Sequence, residues 1–181
     1  MQLNKNIINN MKICLFTIIL MLFLGCNDSS LSKQIKMNFS NSLNQHLVMA
    51  AFEGKTIESL LEKGGDPNIP YNRSHITPIN DAIIFQNYNN LEILVESGAD
   101  INHQTTFTET PLLECMYSAN YKAAVYLLQN GANPTIICKG GYSFLDKVND
   151  SFVGEDTPAY PWNLKVITWL VDNGYQVKGI N

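Results

Sequence analysis

The stretch "ESGADINHQTTFTETPLL", residues 96–113, carries the signals for one helix end, one turn and one helix start. Gly98 follows an apolar run and predicts a left-handed helix end, because glycine adopts that conformation at the lowest cost. Thr110 followed by Pro111 predicts a helix start, with the threonine as N-cap and the proline at the first helical position. The polar residues between these two signals predict a turn.

The same signals recur with a fixed period. Thr77-Pro78, Thr110-Pro111 and Ser143-Phe144 follow one another at equal intervals along the chain, and the same interval separates Gly98 from Gly131. Similar glycine-containing segments occupy residues 62–68 and 172–177. A fixed period of roughly 20–50 residues indicates a repeat protein, in which each unit buries its apolar face against its neighbours.

The repeating unit resembles the ankyrin repeat. The resemblance rests on the Thr-Pro helix starts, on the apolar runs "LEILVE" and "AAVYLLQ", and on turn residues such as Asp100, Asn102 and Asn133. Small residues stand where neighbouring helices must approach closely: Ala50, Ala51, Ala82, Cys115 and Ala123. The resemblance implies an all-α fold, an ankyrin-repeat solenoid of stacked helix-turn-helix units with hairpin-like loops.

We expect four units in a domain that spans 45–181, at about 45–71, 72–104, 105–137 and 138–177. The last unit carries an insertion at about 149–162, which we predict to be an exposed, acidic loop. Tyr160 and Trp162 are large apolar residues in this insertion, so they either hold the loop in place or contact a partner.

The N-terminus predicts export and lipidation. The run "KICLFTIILMLFLGC", residues 12–26, is too short to cross a bilayer of about 30 Å and is typical of a secretory signal. It resembles the lipobox of bacterial lipoproteins, although Phe23 and Leu24 stand where that family prefers Leu and a small residue. The resemblance implies a lipoprotein signal peptide at 1–25 and lipidation of Cys26. An ordinary signal peptide or a membrane anchor remains the alternative.

The segment after the cysteine predicts how the domain is held. Residues 26–44 are rich in Ser and Asn and predict a flexible tether. The implied location is the periplasmic face of a membrane in the bacterial cell envelope. Asn27 directly follows the cysteine, where Asp is the usual inner-membrane retention signal, so the choice between inner and outer membrane stays open.

Composition excludes several functions. After removal of the signal segment the chain keeps ten of its twelve Lys and Arg and all sixteen Asp and Glu, a formal charge of −6. This acidity argues against nucleic acid as a partner, and it leaves the lipid as the only predicted membrane attachment.

No histidine or cysteine spacing suggests a metal, and no nucleophile or phosphate-binding motif is present, so we expect no enzyme activity and no cofactor. We expect Cys115 and Cys138 to be separate thiols.

The resemblance therefore implies a protein partner. In the ankyrin family the partner-facing positions are the hairpin tips and the exposed side of each first helix. Carried over by register, these positions are Tyr71, Arg73, Ser74, Ile76, Ile84, Phe85, Thr106, Phe107, Glu109, Tyr117, Ser118, Lys139, Gly140, Tyr142 and Asp150. Phe85, Phe107, Tyr117 and Tyr142 would form one aromatic strip, and aromatic side chains are frequent anchors of protein interfaces.

These features favour a lipid-anchored binding module that is monomeric alone. Its most specific interpretation is an immunity or inhibitor protein that neutralises a secreted toxin or a lipase-type effector. An envelope scaffold or chaperone, or an accessory factor of a secreted enzyme, would use the same surface and stays an alternative.

Replacing the predicted lipidation site tests the N-terminal interpretation. Cys26→Ser should move the protein from the membrane fraction to the soluble fraction, because an apolar run too short to cross the bilayer holds the chain weakly without a lipid. Immunoblots of fractionated cells measure the distribution. A variant that stays in the membrane fraction would instead indicate a true membrane anchor.

Overall fold

The computed structural model describes residues 57–70, 74–151 and 153–178, which all belong to one compact unit of the chain, Gln45–Asn181. The predicted signal peptide, Cys26 and the tether lie outside the described residues. So do Tyr71 and Arg73.

The described part of the chain contains seven helices and no strand, and the last six helices form three pairs. The prediction of an all-α fold is confirmed. The helices are α1 (Glu58–Glu62), α2 (Pro78–Ile84), α3 (Tyr88–Glu96), α4 (Pro111–Tyr117), α5 (Tyr121–Gln129), α6 (Phe144–Asp150) and α7 (Tyr160–Asp172). None of these helices is both long enough and apolar enough to cross a membrane.

The predicted N-caps begin the first helix of each pair. Thr77 precedes α2, Thr110 precedes α4 and Ser143 precedes α6, all three with extended backbone. The Ser143 hydroxyl accepts a hydrogen bond from the amide of Asp146 at 3.2 Å, and the Asp146 carboxylate accepts one from the Ser143 amide at 2.7 Å. This reciprocal capping box satisfies amides that the helix itself leaves without partners.

The second helices α3 and α5 are each preceded by an asparagine N-cap and followed by a glycine with positive φ. The Asn87 and Asn120 side chains accept hydrogen bonds from the amides of Asn90 and Ala123. Gly98 and Gly131 end α3 and α5 with φ of +86° and +91°, the left-handed conformation predicted for them. The terminating signals in the sequence therefore act as expected.

Small side chains lie where the helices pack most closely. Ala82, Cys115 and Ala123 are fully buried, on α2, α4 and α5. α2 contacts α4, and α4 contacts α6, so the first helices lie side by side through the stack. The Asn120 side chain also donates a hydrogen bond to the Ile83 carbonyl at 3.1 Å, which joins α5 to the preceding pair.

The predicted position of Tyr160 and Trp162 in a loop is wrong. Helix α7 already begins at Tyr160, so both residues lie in its first turn, and the connection from α6 is limited to residues 151–159. Trp162 is half-buried against the core, and the Lys165 ammonium lies 4.1 Å from the centre of its ring. Packing of the tryptophan extends the helix backwards into residues that composition alone assigned to the loop.

Gly98→Val should lower the free energy of unfolding by about 1–2 kcal/mol, because a β-branched residue resists a positive φ. A Cβ at Gly98 would meet no atom within 4 Å, so the cost comes from the backbone and not from crowding. Urea unfolding of the full chain measures the change.

Ser97→Val is the matched control, since Ser97 is exposed and has an ordinary φ of −84°. This variant should change stability by no more than about 0.5 kcal/mol. Equal losses in the two variants would mean that the valine side chain, and not the left-handed backbone, causes the effect.

Candidate functional site

Hydrogen bonds between successive hairpins fix the surface on which the predicted partner-binding residues lie. The amide of Thr106 donates to the Ser74 carbonyl at 3.0 Å, and the amide of Lys139 donates to the Phe107 carbonyl at 3.1 Å. The Lys139 ammonium also donates to the Thr106 carbonyl. Because the hairpin tips hold one another, the side chains they carry are presented from a rigid backbone.

Asparagine side chains form a second set of bonds between repeats. The Asp100 amide donates to the Asn68 side chain at 2.6 Å, and the Asn133 amide donates to the Asn102 side chain at 2.8 Å. These side chains satisfy the turn backbone after each second helix. The Asp100 and Asn133 side chains accept hydrogen bonds from the amides of Asn102 and Thr135, both at 2.9 Å, which confirms their predicted turn roles. The bond from the Asn133 amide to the Asn102 side chain adds a connection between neighbouring units.

Four large apolar side chains of the predicted surface are exposed. The exposed fractions are 38% for Ile84, 48% for Phe85, 59% for Phe107 and 48% for Tyr117. Ile84 and Tyr117 occupy equivalent positions in successive repeats, at the ends of α2 and α4. Neither Phe85 nor Phe107 turns into the core, so both rings belong to the surface that another molecule would meet.

Tyr142 completes this surface in a more restrained position. It is half-buried, and its hydroxyl lies 2.8 Å from the Tyr117 hydroxyl, which directly joins two repeats. Its ring lies against the backbone of Gly140, and the Lys147 ammonium lies 4.0 Å from the ring centre.

Burial, followed by the hydrogen bond to Tyr142 and the charge of Glu109, raises the pKa of Tyr117, so the Tyr117 hydroxyl is neutral at physiological pH. We call Phe85, Phe107, Tyr117 and Tyr142 the aromatic strip.

Carboxylates lie beside the aromatic strip. Glu114 is half-buried on α4, and its pKa is raised by burial, then by the charge of Glu109, then by that of Asp81. The charge of Glu109 also contributes to the raised pKa of Tyr117, so the same carboxylate acts on both residues. Among the described residues, the carboxylates of Glu109 and Glu114 accept no hydrogen bond and form no ion pair. The described part of this surface therefore combines exposed aromatic rings with the carboxylates of Glu109 and Glu114.

Glu114 was not among the partner-facing residues predicted from the sequence. The signal was present, because Asp81, Glu114 and Lys147 occupy the same register position of three successive first helices. The apolar pattern of α4 does not single out Glu114. The effect of the Glu109 charge on Glu114 depends on how the hairpin packs against the helix.

The remaining predicted positions have more local roles. Asp150 is exposed, and its carboxylate forms an ion pair with Lys178 at 2.9 Å, a contact of small energetic value at this exposure. Thr106 is half-buried, and its backbone holds the neighbouring hairpins. The binding role of both residues stays a prediction.

The histidines and cysteines of the described residues have structural surroundings that can be stated one by one. They contain no cluster of His, Cys, Asp or Glu that could hold a metal ion. The His103 ring lies 2.7 Å from the His75 carbonyl, so it contacts the neighbouring hairpin through the backbone and not through the His75 ring. Cys115 and Cys138 are free and buried, as expected, and burial raises the pKa of the Cys115 thiol well above its usual value.

Comparison with known proteins agrees with this geometry. The family model of ankyrin repeats (three copies) matches residues 47–138, about half of the chain. The chain belongs to the ankyrin-repeat family, whose repeats are protein–protein interaction modules and generally not enzymes. The fourth predicted unit lies beyond the matched residues and stays a prediction.

Similar curated proteins are spread over distant organisms. A putative ankyrin repeat protein of Acanthamoeba polyphaga mimivirus is 33% identical over 85 residues, 45% of this chain and 52% of that protein. A putative ankyrin repeat protein of Fowlpox virus is also 33% identical over 85 residues, which are 29% of its length. The ADP-ribosylation factor GTPase-activating protein AGD4 of Arabidopsis thaliana is 44% identical over 57 residues, only 7% of its length. The chain thus spans from a small part to about half of these relatives.

Glu114→Gln should stabilise the protein at neutral pH. The pKa of Glu114 is higher in the folded state than in the unfolded state, where it is about 4.3. The contribution of the neutral Glu114 carboxyl to folding stability is therefore fully present below the unfolded pKa, and it is lost as pH rises through the folded pKa. The glutamine stays neutral at every pH, so the variant should have the higher urea midpoint at pH 7, with the difference shrinking towards pH 4.

Glu62→Gln provides the control, because Glu62 is exposed on α1 and should give a change within about 0.5 kcal/mol at either pH. A lower midpoint for Glu114→Gln at pH 7 would show that the Glu114 carboxylate has a stabilising partner.

Proposed function

We propose that this chain is a membrane-tethered, periplasmic protein-binding module, and most specifically an immunity or inhibitor protein that neutralises a secreted toxin or a lipase-type effector. The proposed protein-binding role is supported by the exposure of Phe85, Phe107 and Tyr117 on hairpins and helix ends that are hydrogen-bonded to one another. Aromatic side chains on a rigid backbone lose little conformational freedom on binding, so they supply affinity at low entropic cost.

The location rests on the N-terminal sequence. The apolar run that ends at Cys26 supports export and lipid attachment, and the tether at 26–44 would hold the repeats away from the bilayer. A single binding domain outside the cytoplasm needs its partner in the same compartment. A secreted protein that acts on the envelope is such a partner, and a rigid domain that covers its active surface would inhibit it.

The chemistry of the described surface supports binding over catalysis. The titratable groups described on this surface are carboxylates, tyrosines and two lysines, of which Lys139 donates to the Thr106 carbonyl and Lys147 stacks on the Tyr142 ring. Among these described groups, none is a nucleophile hydrogen-bonded to a base. The surface is better suited to exclude water from a protein interface than to activate a substrate.

Affinity capture tests this proposal. The full chain, carrying an affinity tag, is incubated with an extract of envelope and secreted proteins, and the bound proteins are identified by mass spectrometry. One stoichiometric, slowly dissociating toxin or lipase would support the inhibitor function. Several envelope components at lower occupancy would contradict it and favour a scaffold.

Phe107→Ala combined with Tyr117→Ala should weaken binding of the captured partner by at least about tenfold while the helical circular dichroism stays unchanged. Leu164→Ala combined with Val171→Ala is the matched control, because these residues are 43% and 39% exposed on α7, away from the aromatic strip. Equal binding by both double variants would exclude the strip as the interface. Unfolding of the first double variant would assign its residues to the core.

A further inference from the structure

A cleft of about 440 Å³ lies where the start of α7 meets the turns before α3 and α5. Its lining includes Tyr88, Asn120, Tyr121, Lys122, Pro158 and Trp162, and none of the four residues of the aromatic strip. We infer that this cleft is a second binding site and takes an acidic segment of a protein, with a carboxylate on Lys122 and an apolar side chain against Tyr88 and Trp162. This inference goes beyond the proposed function and does not depend on it.

The cleft holds positive charge that the described residues do not neutralise. The Lys122 ammonium lies 3.8 Å from the centre of the Tyr88 ring and 5.9 Å from the centre of the Trp162 ring. The Lys165 ammonium lies 4.1 Å from the centre of the same Trp162 ring. Among the described residues, neither lysine forms an ion pair or donates a hydrogen bond. Because an aromatic ring covers only one side of an ammonium, the other N–H groups can bind a carboxylate.

Two carboxylates of the chain act on tyrosines around the cleft. Burial and then the charge of Glu92 raise the pKa of Tyr88, and the Tyr160 hydroxyl donates to the Glu155 carboxylate at 3.4 Å. In the described part of the chain, neither carboxylate forms an ion pair with Lys122. The charge of this ammonium is therefore available to a carboxylate from another molecule.

The starts of three helices add to the positive potential of the cleft. Tyr88 and Tyr121 are the first residues of α3 and α5, and Trp162 lies in the first turn of α7. Each of these helices has nine residues or more. Since the N-terminus of a helix has a partial positive charge, all three favour an anion in the cleft and disfavour a cation.

The first turn of α7 is an addition to the repeat pattern. Asn163 stands the same distance before Gly174 as Asn120 before Gly131. The Asn120 side chain accepts a backbone hydrogen bond at the start of α5, whereas Asn163 lies inside α7, and its Oδ1 is buried without a hydrogen bond among the described residues. The added turn thus leaves a polar atom unsatisfied while it brings Trp162 to the cleft. Local departures of this kind are expected at functional sites.

The walls of the cleft favour a protein segment over other anions. Tyr88, Tyr121, Pro158 and Trp162 place apolar surface beside the Lys122 ammonium. A peptide offers a carboxylate and an apolar side chain at adjacent positions, whereas a phosphate group offers charge alone. The chain as a whole has a formal charge of −4, so it repels an extended anionic surface such as a membrane or a nucleic acid more than it repels a short segment.

Selection from a displayed library of random peptides, about twelve residues long, tests the inference with the full chain in a mild detergent as the target. The enriched peptides should contain Asp or Glu next to Phe, Leu or Ile. Their affinity should fall by at least about tenfold between about 50 and about 500 mM salt, because salt screens charge pairs. In the full chain with Trp169→Phe, Trp162 is the one remaining tryptophan, so its fluorescence should change as these peptides bind.

A pair of double variants locates the bound peptides. Lys122→Gln with Lys165→Gln removes the charge beside Trp162, so the enriched peptides should bind at least about tenfold more weakly. Lys63→Gln with Lys178→Gln is the matched control, because it changes the net charge equally at two exposed lysines outside the cleft. The control should bind within about twofold of wild type. Equal losses in the two double variants would reduce the effect to net charge and overturn the inference.

Other outcomes would also overturn the acidic-segment inference. They are a selection without enrichment over the empty support, enriched peptides without acidic residues, and displacement of the peptides by inorganic phosphate or by vesicles of anionic lipid. Peptides that lose affinity for the variant with Phe107→Ala and Tyr117→Ala, but not for the variant with Lys122→Gln and Lys165→Gln, would bind the aromatic strip. That result would support the proposed function and exclude the cleft.

Discussion

The stacking of one helix pair on the next is the constraint on which the rest of the structure depends. A pair of helices of seven and nine residues, such as α4 and α5, cannot enclose its own apolar residues. Leu112, Leu113, Leu127 and Leu128 are almost fully buried because helices of neighbouring pairs cover them. Fully buried Ala82 and Cys115 keep the first helices close enough for this contact, since a larger side chain at either position would separate them.

The same stacking creates the candidate binding surface. Side chains at equivalent positions of successive repeats are brought into rows, so residues that lie one full repeat apart in sequence become neighbours. The hydrogen bond between the Tyr117 and Tyr142 hydroxyls joins two repeats in this way, and so does the charge of Asp81, which lies one repeat before Glu114 and raises its pKa. A surface built from rows on a rigid stack can present rings and charges together without a pocket, which suits recognition of another protein.

The repeat geometry also places several residues other than glycine in the left-handed backbone conformation. Gln86 and Ala119 have φ of +53° and +52°, although neither is glycine, and they connect the two helices of successive pairs. His75 and Thr108 have φ of +55° and +59° at equivalent positions of the hairpins. Such conformations persist only where surrounding contacts hold them, and their recurrence at the same position of successive units shows that the repeat geometry imposes them.

The sequence by itself determined the all-α repeat fold, because its signals are local and periodic. Thr110, Pro111 and Gly98 act through the few residues around them, so their effect could be predicted from spacing alone. The exposed ends of the first helices could also be assigned in this way, since Phe85 and Tyr117 follow from register.

Tertiary structure decided the rest. The start of α7 at Tyr160 depends on packing of Trp162 against the core, and the raised pKa of Glu114 depends on its burial and on the charges around it. Those contacts join residues through space, and the electrostatic environment that they create has no counterpart in local sequence pattern.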